Sequence, residues 1–344
     1  MISIGDYQTA REHAAAIERA DRGRIVVSGA DRASYLQGLL TNDIAALEPG
    51  EGCYAAYLTP QGRMIADLFV YELGDVILLT VPRTQHRAVL DKLDQFIFSE
   101  DVQLGDASDV FSTTAIVGPE AARIVSRLTS IAEAELTTMP EHGNRRGTFN
   151  GQGVIVVRVT DPGEPGYDLH VETAHDEALR RALEDERVPF LDPDTADVLR
   201  VEAGIPRFGR DMNEETIPLE AGIESRAISF SKGCYVGQEV IIRVIHRGHG
   251  RVARKLVGLV IDGEAVPAPG TRAIADGRDI GEVTSSAMSA TLKRPVALAY
   301  LHRDFLAPGT AIVVDGDPAV VTALPFVDRG PGSAAGESAA ERPE

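Results

Sequence analysis

The 344-residue sequence predicts an α+β protein built from mostly antiparallel sheets and helices, with a small all-β unit toward the C-terminus. Three observations lead there. Strand-like runs between residues 53 and 82 follow one another through tight turns, as in an antiparallel meander. Helical and strand patterns then alternate without the regular order of a doubly wound parallel sheet. From Arg254 onward the helical patterns stop, and short runs such as "KLVGLVIDG", "PVALAYLH" and "GTAIVVDGDPAVVTAL" are broken by glycine and proline, as in a small β-barrel or sandwich.

Taken in order, "DYQTAREHAAAIERA" is alanine-rich and predicts a helix, and "GRIVVSG" a short strand. Tyr35, Leu36, Leu39 and Leu40 recur at helical spacing within "GADRASYLQGLLTNDIAAL". "CYAAYLTPQGRMIADLFVYELGDVILLTVP" predicts three strands, turning at Pro60-Gln61-Gly62 and Leu73-Gly74-Asp75. "RTQHRAVLDKLDQFIF" returns to helix, with Val89, Leu90, Leu93 and Phe96 on one side. Next come a strand in "VFSTTAIVG", a helix opened by Pro119 in "PEAARIVSRLTSIAEAEL", two strands in "GVIVVRVTDPGEPGYDLHV" and a helix in "AHDEALRRALEDE". The divisions that follow are 1–105 and 106–250, two α+β regions that can interleave, then the β-unit at 251–326. A tail at 327–344 rich in glycine, serine and alanine is expected to be disordered.

Composition narrows the function. The net charge of −18 disfavours non-specific binding to nucleic acid or anionic lipid, so an anionic partner needs a local basic patch. No apolar run is long enough to span a bilayer and the N-terminus lacks the pattern of a secretory signal, so a soluble, cytoplasmic protein with no membrane partner is expected. Two cysteines, Cys53 and Cys234, cannot make a four-thiolate cage, and both are expected to be reduced. His246 and His249 have a chelating spacing but no third ligand nearby, so they read as surface histidines, and no metal site is expected. "RVIHRGHGRVARK" gathers Arg243, Arg247, Arg251, Arg254 and Lys255, either a solvated face or an anion site for the ligand's acidic tail, a tRNA or a cluster protein.

Cys234 lies in "SFSKGCYVGQEVIIRV". The residues after it place Val240, Ile241, Val244 and Ile245 on one face of a helix bounded by Gly237 and Gly248. A helix N-terminus after the thiol and Lys232 two residues before it would both favour the thiolate, and Gly233 leaves room beside the sulfur. The alternative is a small buried hydrophobe in a tight turn.

"LRVEAGIPRFGRDMNEETIPLEAGIESRAISFSKGCYVGQEVIIRV" resembles the YgfZ family of folate-binding proteins, linked to iron–sulfur cluster assembly or repair and to tRNA modification. "KGCYVGQE", with Gly233, Tyr235, Gly237, Gln238 and Glu239 framing Cys234, matches that family's signature. The order of "YLQGLLTNDI", "LTPQGRMIADLFVY", "PGEPGYDLHV" and "RPVALAYLH" extends the resemblance over residues 20–325. The same segments are similar to the glycine cleavage T-protein, an aminomethyltransferase that uses tetrahydrofolate. The resemblance implies a T-protein-like fold around a central cavity, with residues 1–105 as the folate-binding region. It implies Asp67 at the reaction centre, Tyr54 and Tyr71 beside the ring, and Asp168 holding the pteridine. The T-protein has a further acid where this chain has Ala66, an arginine where it has Ala196, and usually an acid at Cys234.

Those departures favour a tetrahydrofolate-binding maturation factor over an enzyme, acting with iron–sulfur proteins or cluster-assembly factors and with tRNA or its modifying enzymes. In that reading Cys234 and Lys232 supply the reactive thiol, with Asp67 alongside. The alternatives are a folate-dependent aminomethyl or one-carbon transferase with Asp67 as its general base or charge stabiliser, and an RNA-modification accessory protein whose thiol is structural.

Overall fold

A computed structural model describes residues 2–246 and 251–327. The chain opens with α1 (Ile4–Glu12) and then, where a continued helix is expected, turns into strand β1 (Ala15–Glu18). Pairing decides this. Ala15 and Ala16 are fully buried, β1 runs antiparallel to β7 (Phe111–Val117), and Ala16 exchanges backbone bonds with Pro189 and Leu191 on its other edge. Small side chains allow that close approach, and tertiary pairing overrides alanine's helical preference.

The first sheet comprises β2 (Arg22–Ser28), β3 (Gly52–Leu58), β4 (Met64–Glu72), β5 (Ile77–Pro82) and β6 (Gln103–Asp106), in the order β3-β4-β5-β2-β6. The β3-β4-β5 meander is the one the sequence predicts. Helices α2 (Arg32–Leu39) and α3 (His86–Asp94) cover one face, where Leu36, Leu39, Val89 and Leu93 pack with Ala66, Leu68 and Val70 of β4. Phe69 and Tyr71 belong to a separate core on the opposite face, which is why all nine residues of β4 are buried. Phe96, expected on the inner side of α3, is instead 42% exposed beyond the helix end.

The second sheet has the order β1-β7-β10-β9-β8, with β8 (Asn144–Phe149), β9 (Gln152–Val159) and β10 (Gly166–Glu172). The single helix expected after Pro119 is two, α4 (Ala121–Leu128) and α5 (Glu133–Thr138), separated where Ser130 donates its N–H to Thr148 of β8. Helix α6 (Asp176–Asp185) buries Leu179 and Leu183. Helix α7 (Pro193–Glu202) starts at Asp192, whose carboxylate caps the Thr195 N–H, with Pro193 in its first turn. Single turns α8 (Pro218–Ala221) and α9 (Glu224–Ala227) precede α10 (Gln238–His246). Gly248, the expected end of that helix, lies outside the described residues, as do Arg247, His249 and the tail from residue 328.

The C-terminal unit is a closed six-stranded antiparallel barrel: β11 (Arg254–Ile261), β12 (Arg272–Ala275), β13 (Arg278–Ser289), β14 (Arg294–His302), β15 (Ala311–Val314) and β16 (Asp317–Thr322). Closure through β16 and β11 leaves no free sheet edge. Helix α7 seals it against the rest of the chain: Arg200 reaches Ser285 on β13, and Glu202 accepts from Ser289 and from Tyr7 of α1. No helix among the described residues is long and apolar enough to cross a membrane.

Candidate functional site

A cavity of about 320 Å3 opens where the two sheets, the β1–β2 turn, α7 and α9 converge. Asp67 and Phe69 reach it from β4, Tyr54 from β3, Asp161 from the β9–β10 loop, and Arg226 from α9. Strand periodicity explains the first pair, because residues two apart share a face. It also places Ala66 on the opposite face, fully buried in the core under α2 and α3. The absence of an acid at 66 therefore removes nothing from the cavity wall.

Asp67 is 2% exposed, and its Oδ2 accepts hydrogen bonds from Tyr54 Oη at 3.0 Å and Arg22 Nη2 at 3.4 Å. Its Oδ1 is buried with no partner, as is Nη1 of Arg22. Unpaired buried polar atoms of this kind cost about 1–3 kcal/mol each, so a group that completes them would be favoured at this wall. Arg22 lies over the Phe69 ring at 4.8 Å, and Arg226 over Tyr54 at 5.5 Å. A cavity-lining guanidinium thus lies over a face of each ring.

Asp168 sits one layer back. Arg19 lines the cavity and donates to Asp161 at 2.6 Å and to Asp168 at 3.2 Å, so a guanidinium stands between Asp168 and the cavity. Burial pushes the Asp168 carboxyl up to about 6, with Arg19 opposing and Asp161 reinforcing the shift. A carboxylate expected to pair directly with the ligand is engaged by an intervening arginine. Tyr71, expected beside the ring, is 1% exposed and packs between Phe69 and His170, outside the cavity lining. The neighbouring histidines are held neutral by desolvation, His142 falling to about 4 and His170 to about 3.

The Cys234 turn is a separate place. Cys234 is exposed, and the helix after it begins at Gln238. Gly237 is a positional requirement: its φ is +85°, and a Cβ there would sit 2.6 Å from the Thr59 carbonyl. Tyr235 is buried against the core below the cavity, whereas Gly233 has open space around it. Lys232 does not serve the thiol next to it. Its Nζ donates to the carbonyls of Gln37, Leu40 and Asn42, all at 2.7 Å, closing the C-terminal end of α2. Its partial burial lowers it to about 8, and the thiol within its electrostatic reach is Cys53. Gln238 and Glu239 line a shallow surface depression on α10. Of the basic stretch, Arg254 and Lys255 pair with Glu220 and Glu224. Among the described residues no group of three or more histidine, cysteine or acidic side chains is placed to hold a metal ion.

Sequence reasoning passed over Arg19, Arg22, Asp161, Arg207 and Arg226. The signal was present in "ERADRGR", where charge is concentrated between an alanine-rich run and a β-branched one, and in the Asp-Pro-Gly of "TDPGEPG". Neither segment carries chemistry until the sheets bring them together.

Comparisons with known proteins agree with this architecture. Residues 2–232 match the GCVT N-terminal domain and residues 254–328 the glycine cleavage T-protein C-terminal barrel domain. Proteins named aminomethyltransferase from Streptomyces coelicolor and Streptomyces avermitilis are each 33% identical over 335 residues, covering 94% of this chain and 89% of theirs. The crystal structure of glycine cleavage system aminomethyltransferase T from Bartonella henselae superposes with a TM-score of 0.86 at 22% identity, over 95% of this chain and 90% of that one, a likeness of fold. The chain belongs to the glycine cleavage T-protein family.

Proposed function

We propose that this protein binds tetrahydrofolate or a one-carbon derivative in the cavity and carries out folate-dependent aminomethyl or one-carbon transfer there. The observation that carries the reading is Asp67, a buried carboxylate on the cavity wall with one oxygen fixed by Tyr54 and Arg22 and the other free. The residues suit the ligand. A pterin offers a donor-rich edge that a carboxylate can accept from, and a flat face that Tyr54 and Phe69 can cover. Bound tetrahydrofolate would supply the nitrogen that takes up the one-carbon unit. Asp67 would face that nitrogen and accept at Oδ1 the N–H proton it gives up as the new C–N bond forms, while Tyr54 and Arg22 hold the carboxylate in place. The curated relatives bear the name aminomethyltransferase, which favours this reading over a maturation factor. Ala66, facing the core, no longer argues against it.

Calorimetry with tetrahydrofolate, followed by an assay of aminomethyl transfer from a lipoyl carrier, tests it. Binding with turnover is expected, and absence of binding at ligand well above micromolar levels removes the reading. A second reading, the YgfZ-type role in iron–sulfur cluster maintenance with cluster proteins or tRNA as partners, draws its support from the exposure of Cys234 within "KGCYVGQE". Folate binding without turnover, together with loss of cluster-dependent enzyme activity in Cys234→Ser cells, would favour it.

A further inference from the structure

Five arginines line the cavity, and four are held by carboxylates within hydrogen-bonding range. Arg19 is bonded to Asp161 and Asp168, Arg22 to Asp67, Arg226 to Glu141, and Arg200 to Asp197 and Asp211. Arg207 differs. Among the described residues its carboxylate partner is Asp197, 3.9 Å away, through the Oδ1 that already accepts from Arg200 Nε at 2.8 Å. The other oxygen of Asp197 is paired with Arg210 at 2.8 Å. Asp197 is thus engaged by two closer cations, and Arg207 stands at the cavity with its side chain 43% exposed and a shared, longer ion pair. Burial and the neighbouring Arg200 both lower its basicity, with Asp21 and Asp197 pulling the other way, the balance expected of a cation that an anion would relieve.

We infer that Arg207 is the specificity residue for an anionic end of the cavity's ligand: Asp67 takes the neutral, donor-bearing head, and Arg207 takes a terminal carboxylate. The inference rests on the folate reading and deepens it, because tetrahydrofolate is a ligand of this polarity, a pterin joined to a glutamate. A guanidinium presents paired N–H groups in the geometry of a carboxylate, and at a partly desolvated cavity mouth that pairing is stronger than in open water.

The test compares tetrahydrofolate with the primary amide of tetrahydropteroic acid, which keeps the pterin head and the p-aminobenzoyl amide but carries no carboxylate, by calorimetry on the full chain. Wild-type protein is expected to prefer tetrahydrofolate by about tenfold or more, equivalent to about 1.4 kcal/mol. Arg207→Met should erase that preference by weakening tetrahydrofolate alone, and Arg207→Lys should restore part of it. The preference should also shrink with added salt in the wild type but not in Arg207→Met. Among the described residues the Arg207 side chain makes no hydrogen bond and its one ion pair is 3.9 Å long, so both variants are expected to melt with the wild type, which melting curves check. If both ligands bind the wild type equally, or if Arg207→Met keeps the preference, the assignment of Arg207 is overturned while folate binding stands. If neither ligand binds, the reading beneath it falls as well.

Discussion

The cavity around Asp67 and the turn carrying Cys234 are built in opposite ways. The cavity draws side chains from both sheets, several connecting loops and two helices, buries most of them, and leaves particular atoms unsatisfied. The turn is a contiguous stretch with its thiol exposed, and its charged residue is committed to holding α2. A site assembled from distant segments has had its geometry set by the fold, while a conspicuous local sequence has not. Lys232 makes the point: sequence proximity pairs it with Cys234, but three carbonyls at 2.7 Å take its ammonium elsewhere.

The largest expected effect bears on the cavity. Asp67→Asn preserves shape and can still meet Tyr54, but cannot take up a proton. Transfer activity should fall by about 10²–10⁴-fold, with tetrahydrofolate binding changed much less. Steady-state kinetics beside calorimetry would separate the two. A variant of undiminished kcat would move the chemistry away from the cavity and collapse the contrast between the regions.

Next in size is the buried carboxyl behind Arg19. Asp168 is raised from its ordinary value near 3.8 to about 6, chiefly by burial, so the folded state favours the protonated acid. Its stabilising contribution is therefore complete below about pH 4 and is lost as pH rises through about 6, a change of roughly 3 kcal/mol for about two pK units. Asp168→Asn stays neutral throughout. Its stability relative to wild type should rise by that order between pH 4 and 7, read from denaturant melts at several pH values. Parallel wild-type and variant curves would mean that Arg19 compensates the charge fully, making Asp168 a fixed ion-pair partner.

A smaller effect is expected at the foot of the turn. Lys232→Met removes a cation from three carbonyls and should cost about 2 kcal/mol of stability, since charge-assisted hydrogen bonds of this kind contribute roughly 1.5–3 kcal/mol. Tetrahydrofolate affinity should change little, because Lys232 is not part of the cavity wall. Unchanged melting would show that water satisfies those carbonyls as well as the ammonium does.

Much of the fold was legible because strong local patterns and tertiary packing agree. The β3-β4-β5 meander, α3 and the glycine-punctuated barrel strands are cases where turn residues and apolar spacing have one good solution. The misassigned segments are those where pairing overrules propensity, above all Ala15–Glu18, whose neighbours in space lie about 100 and 170 residues away. The same holds for the site. Asp67 and Tyr54 were legible through their resemblance and do line the cavity. Asp168 was placed there too, but whether a carboxylate faces a ligand depends on what stands in front of it, and Arg19 is 149 residues distant in sequence. Arg207 and Arg226 carried no signal at all, since an arginine becomes informative only when its counter-charges can be counted.

The smallest expected effect sharpens the comparison most. Cys234 is exposed, its turn is tied down through Lys232, Tyr235 and Gly237, and no core contact depends on its sulfur among the described residues. Cys234→Ser should therefore shift stability by no more than about 0.5 kcal/mol, the usual range for a surface substitution. Tetrahydrofolate binding and any aminomethyl transfer should persist within experimental error. Cys53 provides the contrast within the same molecule: burial pushes its thiol up to about 12 despite the nearby Lys232, so it is protonated at neutral pH and shielded. Iodoacetamide under native conditions should then modify Cys234 well before Cys53, as read by mass spectrometry of the digested protein, and Cys234→Ser should leave the native protein almost unlabelled. If labelling or substitution of Cys234 lowers transfer by an order of magnitude, the turn and the cavity act as one site, and the division drawn between them is wrong.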